Sequence, residues 1–231
     1  MGTRIAALLT DVPGMTLVAA LERAGSPALG REIAGVKVTA ELGKSRPDVL
    51  IDFSEASATQ SRLVSWGQGG FALVVGTTGL SEATRATLAV LSRKVPVLVA
   101  PNTSLGANAV FALAEAAARM MPSSWDAAIV ETHHVHKKDA PSGTALALAS
   151  AFERGGGRRP PMHSLRLADV VGEHELVLAG PGERIRISHS AVSRDAFARG
   201  ALEAARFVAS ARPGLYGMSD VLKARRPSPA A

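Results

Sequence analysis

Proton donors and cations are concentrated between residues 131 and 144, where the chain reads Glu-Thr-His-His-Val-His-Lys-Lys-Asp-Ala-Pro-Ser-Gly-Thr. An imidazole that titrates near neutrality can supply a proton, and a nearby ammonium can hold and polarise an anionic partner. We therefore predict that His133 and Lys137 face a substrate. The chemistry that this pairing favours is a proton-coupled reaction of a carboxylate.

The polar cluster is predicted to lie on a loop that joins a strand to a helix. Residues 127–132 have the composition of a strand, and residues 144–152 form a helical pattern with Ser142 or Thr144 as its N-cap. Loops held between rigid elements are where catalytic groups concentrate, and the N–H groups that open a helix bind carboxylates or phosphates. This loop is the predicted active site.

Zinc coordination is the main alternative for the same histidines. His134 and His136 would share one side of an extended segment, with Glu131 close by. However, the chain has no His-Glu-x-x-His motif, no cysteine and no second group of ligands. We predict no resident metal and keep a zinc-dependent hydrolase as the less favoured alternative.

Composition limits the class of protein. The 231 residues, 47% of them hydrophobic, suffice for one large domain or two modest ones, and the absence of cysteine excludes disulfide and thiol chemistry. No apolar run reaches the ~18 residues of a membrane span, and the N-terminus lacks the features of a secretory signal. We expect a soluble cytoplasmic protein with no membrane partner.

The chain is basic, with a formal net charge of +6 and a pI near 10.3. Its arginines are scattered, and aromatic residues, at 4% of the chain, are too few for base stacking. We therefore predict no nucleic-acid partner. The positive field would instead attract small anionic substrates and a phosphorylated cofactor.

Along the N-terminal part of the chain, apolar strands alternate with helices. The predicted strands cover 15–21, 48–53, 71–76 and 95–100, and the predicted helices cover 56–67, 81–93 and 105–120. Continuous apolar strands separated by helices indicate an α/β fold with a doubly wound parallel sheet. Ligands bind such sheets in a crevice at the carboxyl ends of the strands. We therefore predict that the residues that follow each strand line a nucleotide-binding crevice.

Glu22 and Arg23 follow the first predicted strand and are candidates for cofactor recognition. An acidic residue here accepts hydrogen bonds from the ribose hydroxyls of NAD, and a neighbouring arginine can hold the 2′-phosphate of NADP. A solvated Glu-Arg turn is the alternative. No glycine fingerprint precedes the acid; Gly2 lies at the usual spacing of ~20 residues, so the chain begins where that loop would end.

A signature motif and four supporting blocks resemble one enzyme family. Residues 131–145 match Glu-x-His-His-x-x-Lys-x-Asp-x-Pro-Ser-Gly-Thr-Ala, and the supporting blocks cover 76–79, 101–108, 171–174 and 214–222. On these residues the chain resembles the 4-hydroxy-tetrahydrodipicolinate reductases, formerly called dihydrodipicolinate reductases, of the diaminopimelate route to lysine. The family opens with a strand and a Gly-x-x-Gly-Arg-Met-Gly loop, of which only Met1 and Gly2 are present here.

The resemblance implies two domains. A Rossmann-like dinucleotide-binding domain, lacking its first strand, would comprise residues 1–104 and 196–231. An α+β domain of residues 105–195 would bind the substrate and assemble a homotetramer through a mixed sheet, with strands near 164–167, 173–178 and 184–189. Residues 226–231 are expected to form a disordered tail.

The resemblance also implies a reaction, the reduction of 4-hydroxy-tetrahydrodipicolinate to tetrahydrodipicolinate by NADH or NADPH. It assigns His133 as proton donor and Lys137 as a second donor. The residues that would bind the substrate carboxylates are His134, Gly143 and Thr144. The residues that would line the cofactor are Met1, Glu22, Arg23, Gly76, Thr77, Thr78, Ala100, Pro101, Asn102 and Thr103. Because most of the glycine loop is absent, we expect weak cofactor binding, and a relative that keeps the fold without full activity is the alternative function.

Overall fold

The computed structural model describes residues 1–225, so the predicted tail and the end of the predicted range 196–231 lie outside the described residues. The chain divides into two compact units. One comprises Met1–Thr103 together with the described residues from Phe197 onward, and the other comprises Ser104–Ala196. Each unit has its own apolar core.

The elements follow one another along residues 1–225 as eleven strands and seven helices. The strands are β1 Ala20–Leu21, β2 Glu32–Ile33, β3 Val36–Thr39, β4 Val49–Asp52, β5 Ala72–Val75, β6 Pro96–Val99, β7 Asp126–His133, β8 Met162–Arg166, β9 Gly172–Gly180, β10 Glu183–Ala191 and β11 Gly214–Tyr216. The helices are α1 Gly2–Leu9, α2 Ala56–Gly69, α3 Glu82–Leu91, α4 Leu105–Met120, α5 Gly143–Arg154, α6 Asp195–Ser210 and α7 Met218–Ala224. None of these helices combines the length and the apolar character that crossing a membrane requires.

A four-stranded parallel sheet with the order β11-β6-β5-β4 forms the centre of the first unit. Helices α2 and α3 connect its parallel strands, as a doubly wound arrangement requires. Strand β5 is apolar on both faces, and Leu73, Val74 and Val75 are fully buried. This burial explains the continuous apolar runs of the sequence and confirms the predicted α/β class.

A separate three-stranded sheet with the order β1-β3-β2 precedes the parallel sheet. Here the predicted strand over 15–21 was too long, because regular pairing covers only Ala20 and Leu21, opposite Val38 and Thr39. Upstream of Ala20, Met15 does not pair in a sheet but packs against the apolar cluster around Ile5 of α1.

The second unit contains the predicted mixed sheet, and the order of its strands is β10-β9-β7-β8. Strands β7 and β8 are parallel, whereas β9 runs antiparallel to both β7 and β10. Helices α4 and α5 pack on one face through a core that includes Ile129, Leu148 and Leu176, all fully buried. Alternate residues of β9 are buried, so the other face of the sheet remains more open.

Candidate active site

Two buried side chains of strand β7 form the centre of the predicted site. Glu131 and His133 are two residues apart, and side chains at that spacing lie on the same face of a strand. The Glu131 carboxylate is in hydrogen-bonding contact with Nδ1 of His133. Glu131 is completely buried and His133 is 8% exposed. A carboxylate that accepts from Nδ1 fixes the orientation of the imidazole ring.

Strand β8 supplies the partners that stabilise this buried charge. In the parallel register Ser164 lies beside Glu131, and Arg166 lies beside His133. Arg166 Nη1 donates to Glu131 Oε1 at 3.1 Å. Burial acts to raise the pKa of Glu131, but hydrogen bonds from Ser164, His133 and Arg166 outweigh it and hold that pKa below its ordinary value. Glu131 is therefore an ionised carboxylate at neutral pH.

Opposing effects act on the imidazole of His133. Burial lowers the pKa of His133, and the hydrogen bond to Glu131 acts to raise it. Lys137 and Arg166 add to the lowering through their positive charge. The net effect places the pKa of His133 below the ordinary value of 6.5. A protonated His133 is consequently a stronger acid than an exposed histidine, which suits a proton donor.

The loop between β7 and α5 carries Lys137. Its ammonium donates to both carboxylate oxygens of Asp139, at 2.9 and 2.8 Å, and this contact holds the pKa of Asp139 below its ordinary value. The side chain of Lys137 is 20% exposed, whereas that of Asp139 is 64% exposed. The ammonium is thus partly shielded, and its anionic partner is accessible to solvent.

A chain of contacts joins His133 to the start of helix α5. The ring of His174, on β9, lies edge-on to that of His133 with 5.1 Å between ring centroids. His174 Nε2 is 2.9 Å from Ser142 Oγ, and Ser142 caps α5 by accepting from the N–H of Ala145. Ser142 is therefore the N-cap. Gly143 and Thr144 are the first residues of α5 after this cap.

His174 was not predicted as a site residue, although it lies in the supporting block 171–174. Burial lowers the pKa of His174 to about 4, and the nearby His133 acts in the same direction. His174 is therefore neutral at neutral pH. Its Nδ1 is buried and has no hydrogen-bond partner among the described residues.

Gly172 leaves space beside the outer nitrogen of His133. A Cβ atom at this position would lie 3.0 Å from His133 Nε2 and 3.3 Å from its Cδ2. These separations are tighter than ordinary van der Waals contacts. Because Gly172 has no side chain, it does not crowd Nε2 of His133, the ring nitrogen that does not contact Glu131.

The histidines that suggested zinc are not the ones that the structure brings closest to Glu131. His134 and His136 have ring centroids 6.2 Å apart, and Nδ1 of His134 is buried without a hydrogen-bond partner among residues 1–225. A metal-compatible group is formed instead by Glu131, His133 and His174, whose ligand atoms lie within 4.8 Å of one another. The guanidinium of Arg166 already neutralises Glu131, which disfavours a second cation there.

The candidate cofactor residues after β5 form part of a buried polar network. Thr77 Oγ1 donates to Asp52 Oδ2 at 3.0 Å, and Thr59 Oγ1 donates to the same oxygen at 2.5 Å. A Cβ at Gly76 would lie 2.3 Å from the ring of Phe53, so packing alone requires glycine here. Thr78 is exposed. The hydroxyl of Thr77 thus has a structural partner, and Thr78 is the accessible side chain.

The candidate cofactor residues after β6 include both exposed and buried positions. Ala100 is buried and donates its N–H to Val75 at 2.9 Å, which holds it against the end of β5. Pro101 is exposed and Asn102 half-buried. Thr103 is fully buried, and its hydroxyl donates to the carbonyl of Phe197 at 2.7 Å. Because β5 and β6 are neighbours, both groups of candidates lie at one edge of the parallel sheet.

The remaining cofactor candidates lie at the end of β1 and the start of α1. Glu22 is half-buried and accepts from the N–H of Arg23 at 2.8 Å, while the side chain of Arg23 is exposed. The guanidinium of Arg62, on α2, donates to the main-chain carbonyl of Glu22 at 3.3 Å. Met1 precedes α1 and is 37% exposed. Sequence reasoning did not identify Arg62.

Comparison with known proteins gives consistent results in sequence and structure. Family models described as dihydrodipicolinate reductase, N-terminus, and dihydrodipicolinate reductase, C-terminus, match residues 1–103 and 106–222. Two similar chains are each named 4-hydroxy-tetrahydrodipicolinate reductase. The one from Anaeromyxobacter dehalogenans (strain 2CP-C) is 42% identical over 97% of this chain and 94% of the relative. The one from Thiobacillus denitrificans is 40% identical over 96% of this chain and 94% of the relative. A dipicolinate-bound dihydrodipicolinate reductase from Paenisporosarcina sp. TG-14 shares the fold, with a TM-score of 0.81 over 95% of each chain at 24% identity.

The chain contains a parallel α/β unit and a mixed-sheet unit that carries a buried Glu-His pair. Together with the matching relatives, this architecture places the chain in the class of nicotinamide-dependent oxidoreductases. Within that class, the chain belongs to the dihydrodipicolinate reductase family. The family assignment confirms the resemblance found in the sequence and disfavours the zinc-hydrolase alternative.

Proposed function

We propose that this chain reduces 4-hydroxy-tetrahydrodipicolinate to tetrahydrodipicolinate with NADH or NADPH. The observation that carries the proposal is the buried contact between Glu131 and His133, linked through His174 to the start of helix α5. This arrangement combines an oriented proton donor with an anion-binding helix terminus. Both are needed to reduce a cyclic dicarboxylate.

The chemistry of the first unit fits a nicotinamide dinucleotide. Glu22 offers a carboxylate to ribose hydroxyls. The guanidinium of Arg62, which contacts the Glu22 main chain, and that of the exposed next residue Arg23 suit a phosphate. Met1, Gly76, Thr77, Thr78, Ala100, Pro101, Asn102 and Thr103 would complete the lining, with Thr77 and Thr103 contributing main-chain groups because their hydroxyls have structural partners. The bound cofactor would supply the hydride.

The second unit offers cationic and polar groups for two carboxylates. We assign Gly143 and Thr144 to one of them, because the N–H groups and the dipole at the start of α5 favour an anion. His134 is half-buried and would donate to a carboxylate through its ring, whose buried Nδ1 lacks a partner among the described residues. Lys137 would exchange its exposed partner Asp139 for the substrate. The dipicolinate bound to the Paenisporosarcina neighbour is a ligand of the same chemical class.

Proton transfer in this proposal centres on Nε2 of His133. Because Glu131 accepts from Nδ1, the proton that comes and goes is the one on Nε2. A bound dianionic substrate raises the pKa of His133 and so protonates Nε2. After the substrate has lost water and its conjugated ring has gained hydride, His133 donates this proton to the ring, and Lys137 stabilises the developing negative charge. Overall, the substrate loses one water molecule and takes up one hydride and one proton.

We further propose that the protein assembles as a homotetramer through the open face of its mixed sheet and acts in the cytoplasm, where reduced nicotinamide cofactors are available. Leu165 lies on this face and is 52% exposed, an apolar side chain suited to an interface. Arg186 and Glu175 pair at 3.0 Å on neighbouring strands. Light scattering coupled to gel filtration measures the assembly directly.

A steady-state assay tests the proposed activity. Purified protein is supplied with 4-hydroxy-tetrahydrodipicolinate generated in situ, and the loss of NADH or NADPH absorbance is followed. We expect cofactor consumption that depends on the substrate and is inhibited by dipicolinate. Absence of turnover with both cofactors, in protein that is folded and binds dipicolinate, would contradict the proposal and support an impaired relative.

A further inference from the structure

The guanidinium of Arg166 has an acceptor for each of its five N–H donors. Nε donates to the carbonyl of Lys137 at 3.3 Å, and Nη2 donates to the carbonyl of Asp139 at 2.7 Å. Nη1 donates to the carbonyl of Leu165 at 2.7 Å. The remaining donors of Nη1 and Nη2 reach Glu131 Oε1 at 3.1 and 3.2 Å. One planar group therefore contacts both the strand and the loop of the site.

We propose that Arg166 is a positioning residue that holds His133 and Lys137 at a fixed separation. Its guanidinium joins the carboxylate that orients His133 to the main chain that carries Lys137. The inference rests on the roles proposed above for those two side chains. It adds a residue that touches neither substrate nor cofactor but determines where the two proton donors lie.

The structure gives two reasons why the loop needs such an anchor. Strand β7 ends at His133 and helix α5 begins at Gly143, so Lys137 lies on a segment without regular backbone pairing. Arg166 lies directly beside His133 in the sheet register, so its side chain projects on the same face as the catalytic imidazole. The rigid sheet can thereby fix the position of an otherwise irregular loop.

Lysine cannot reproduce these contacts. Its ammonium carries three donors on a flexible stem, whereas arginine presents five donors in a fixed plane. Arg166→Lys therefore preserves the positive charge beside Glu131 but loses carbonyl contacts to the loop. Arg166→Gln removes the charge as well, and a buried carboxylate without its cation is strongly destabilising. The lysine variant consequently tests positioning in a folded protein.

The first readout is catalytic. We expect Arg166→Lys to lower kcat by about 10- to 100-fold, the usual effect of a small misplacement of reacting groups, with an unchanged KM for the cofactor. The control is Arg154→Gln, which removes an exposed arginine that donates to Glu115 at 3.3 Å. The control should behave as wild type. A purely structural role would lower only the fraction of active protein, so kcat per active site, with the sites counted by dipicolinate titration, would equal that of the wild type.

The second readout is the titration of His133 by NMR. The charged groups that face His133 are Glu131 on its own strand, Arg166 on β8 and Lys137 on the loop, and the titratable ring of His174 faces it from β9. Because the cation of Arg166 acts to lower the pKa of His133, Arg166→Gln should raise that pKa. Arg166→Lys should leave it near the wild-type value.

The third readout, hydrogen exchange of amides in residues 134–142, needs no turnover. Arg166→Lys should accelerate exchange in this loop and leave exchange in α4 unchanged. Wild-type exchange together with wild-type kcat in Arg166→Lys would overturn the inference. If the wild-type chain failed to reduce the substrate, the proposed function would fail, while the exchange result alone would still decide whether Arg166 anchors the loop.

Discussion

The carboxylate of Glu131 contacts Nδ1 of His133, two residues further along strand β7, and both side chains are buried. This contact assigns different tasks to the two ring nitrogens. Nδ1 is committed to Glu131, so proton exchange with a ligand falls to Nε2. Because Gly172 carries no side chain, the space beside Nε2 is not filled by β9.

Replacing Lys137 with alanine should lower turnover by about 100-fold, since it removes the ammonium that stabilises charge and donates a proton. The matched control is Lys138→Ala, because Lys138 is the next residue and is exposed. Steady-state kinetics on both variants check this prediction. Equal activities of the two variants would show that the loop cations are interchangeable and that Lys137 has no specific role.

Thr144→Val should weaken the binding of dipicolinate by roughly tenfold, because an anion at the start of α5 would lose one hydrogen-bond donor. Cofactor affinity should change less, since Thr144 belongs to the second unit. Calorimetric titration with each ligand measures the two effects. Thr144→Ser keeps the hydroxyl and should bind dipicolinate as wild type does; equal losses for both ligands in the valine variant would argue against a substrate role.

Gly172→Ala should lower kcat by about 10-fold or more, because the added Cβ would press on His133 Nε2 at 3.0 Å and shift the imidazole. The control is Gly67→Ala in helix α2, where the added Cβ meets Leu91 at an ordinary 3.4 Å. Kinetics and thermal unfolding are measured for both. A Gly172→Ala enzyme with wild-type kcat would mean that the imidazole can move at no cost to catalysis.

The pH dependence of stability should carry a contribution from His174. Folding lowers the pKa of His174 from 6.5 to about 4, so between these values the unfolded chain binds more protons than the folded chain. The stabilisation is complete above pH 6.5 and is lost as the pH falls toward 4. Since one pKa unit corresponds to ~1.4 kcal/mol, the loss amounts to roughly 3 kcal/mol.

The variant His174→Gln isolates this effect from the other groups whose pKa values are lowered. Its free energy of unfolding, measured with denaturant at several pH values, should fall less steeply below pH 6.5 than that of the wild type. His163→Gln, at an exposed position of β8, is the control and should follow the wild-type curve. Parallel curves for wild type and His174→Gln would contradict the low pKa of His174.

Local sequence patterns predicted most elements of the fold and the loop between β7 and α5 on which the candidate site residues lie. Helix α4 matches its predicted range 105–120, and Ser142 is one of the two N-caps predicted for α5. Those features depend on neighbours within one or two helical turns, so a sequence pattern records them. The strand predicted over 15–21 was too long because apolar composition does not distinguish a paired strand from a segment that packs against a helix.

The partners of His133 could not be predicted in the same way. Arg166 is 35 residues from Glu131, and His174 is 32 residues from Ser142. These residues meet because β7 lies between β8 and β9 in a particular register. A shift of that register by one residue would send Arg166 to the other face of the sheet, and no local pattern fixes the register.

Transfer of deuterium from reduced nicotinamide that carries two deuterium atoms at C4 tests the central claim most directly. The wild-type chain should convert 4-hydroxy-tetrahydrodipicolinate to tetrahydrodipicolinate that carries one deuterium, detected by mass spectrometry. The His133→Gln variant should form the same product about 100-fold more slowly while still binding dipicolinate. The control is His136→Gln, at a nearby exposed position, and its rate should match that of the wild type. Unlabelled product, or an undiminished rate in His133→Gln, would contradict the account.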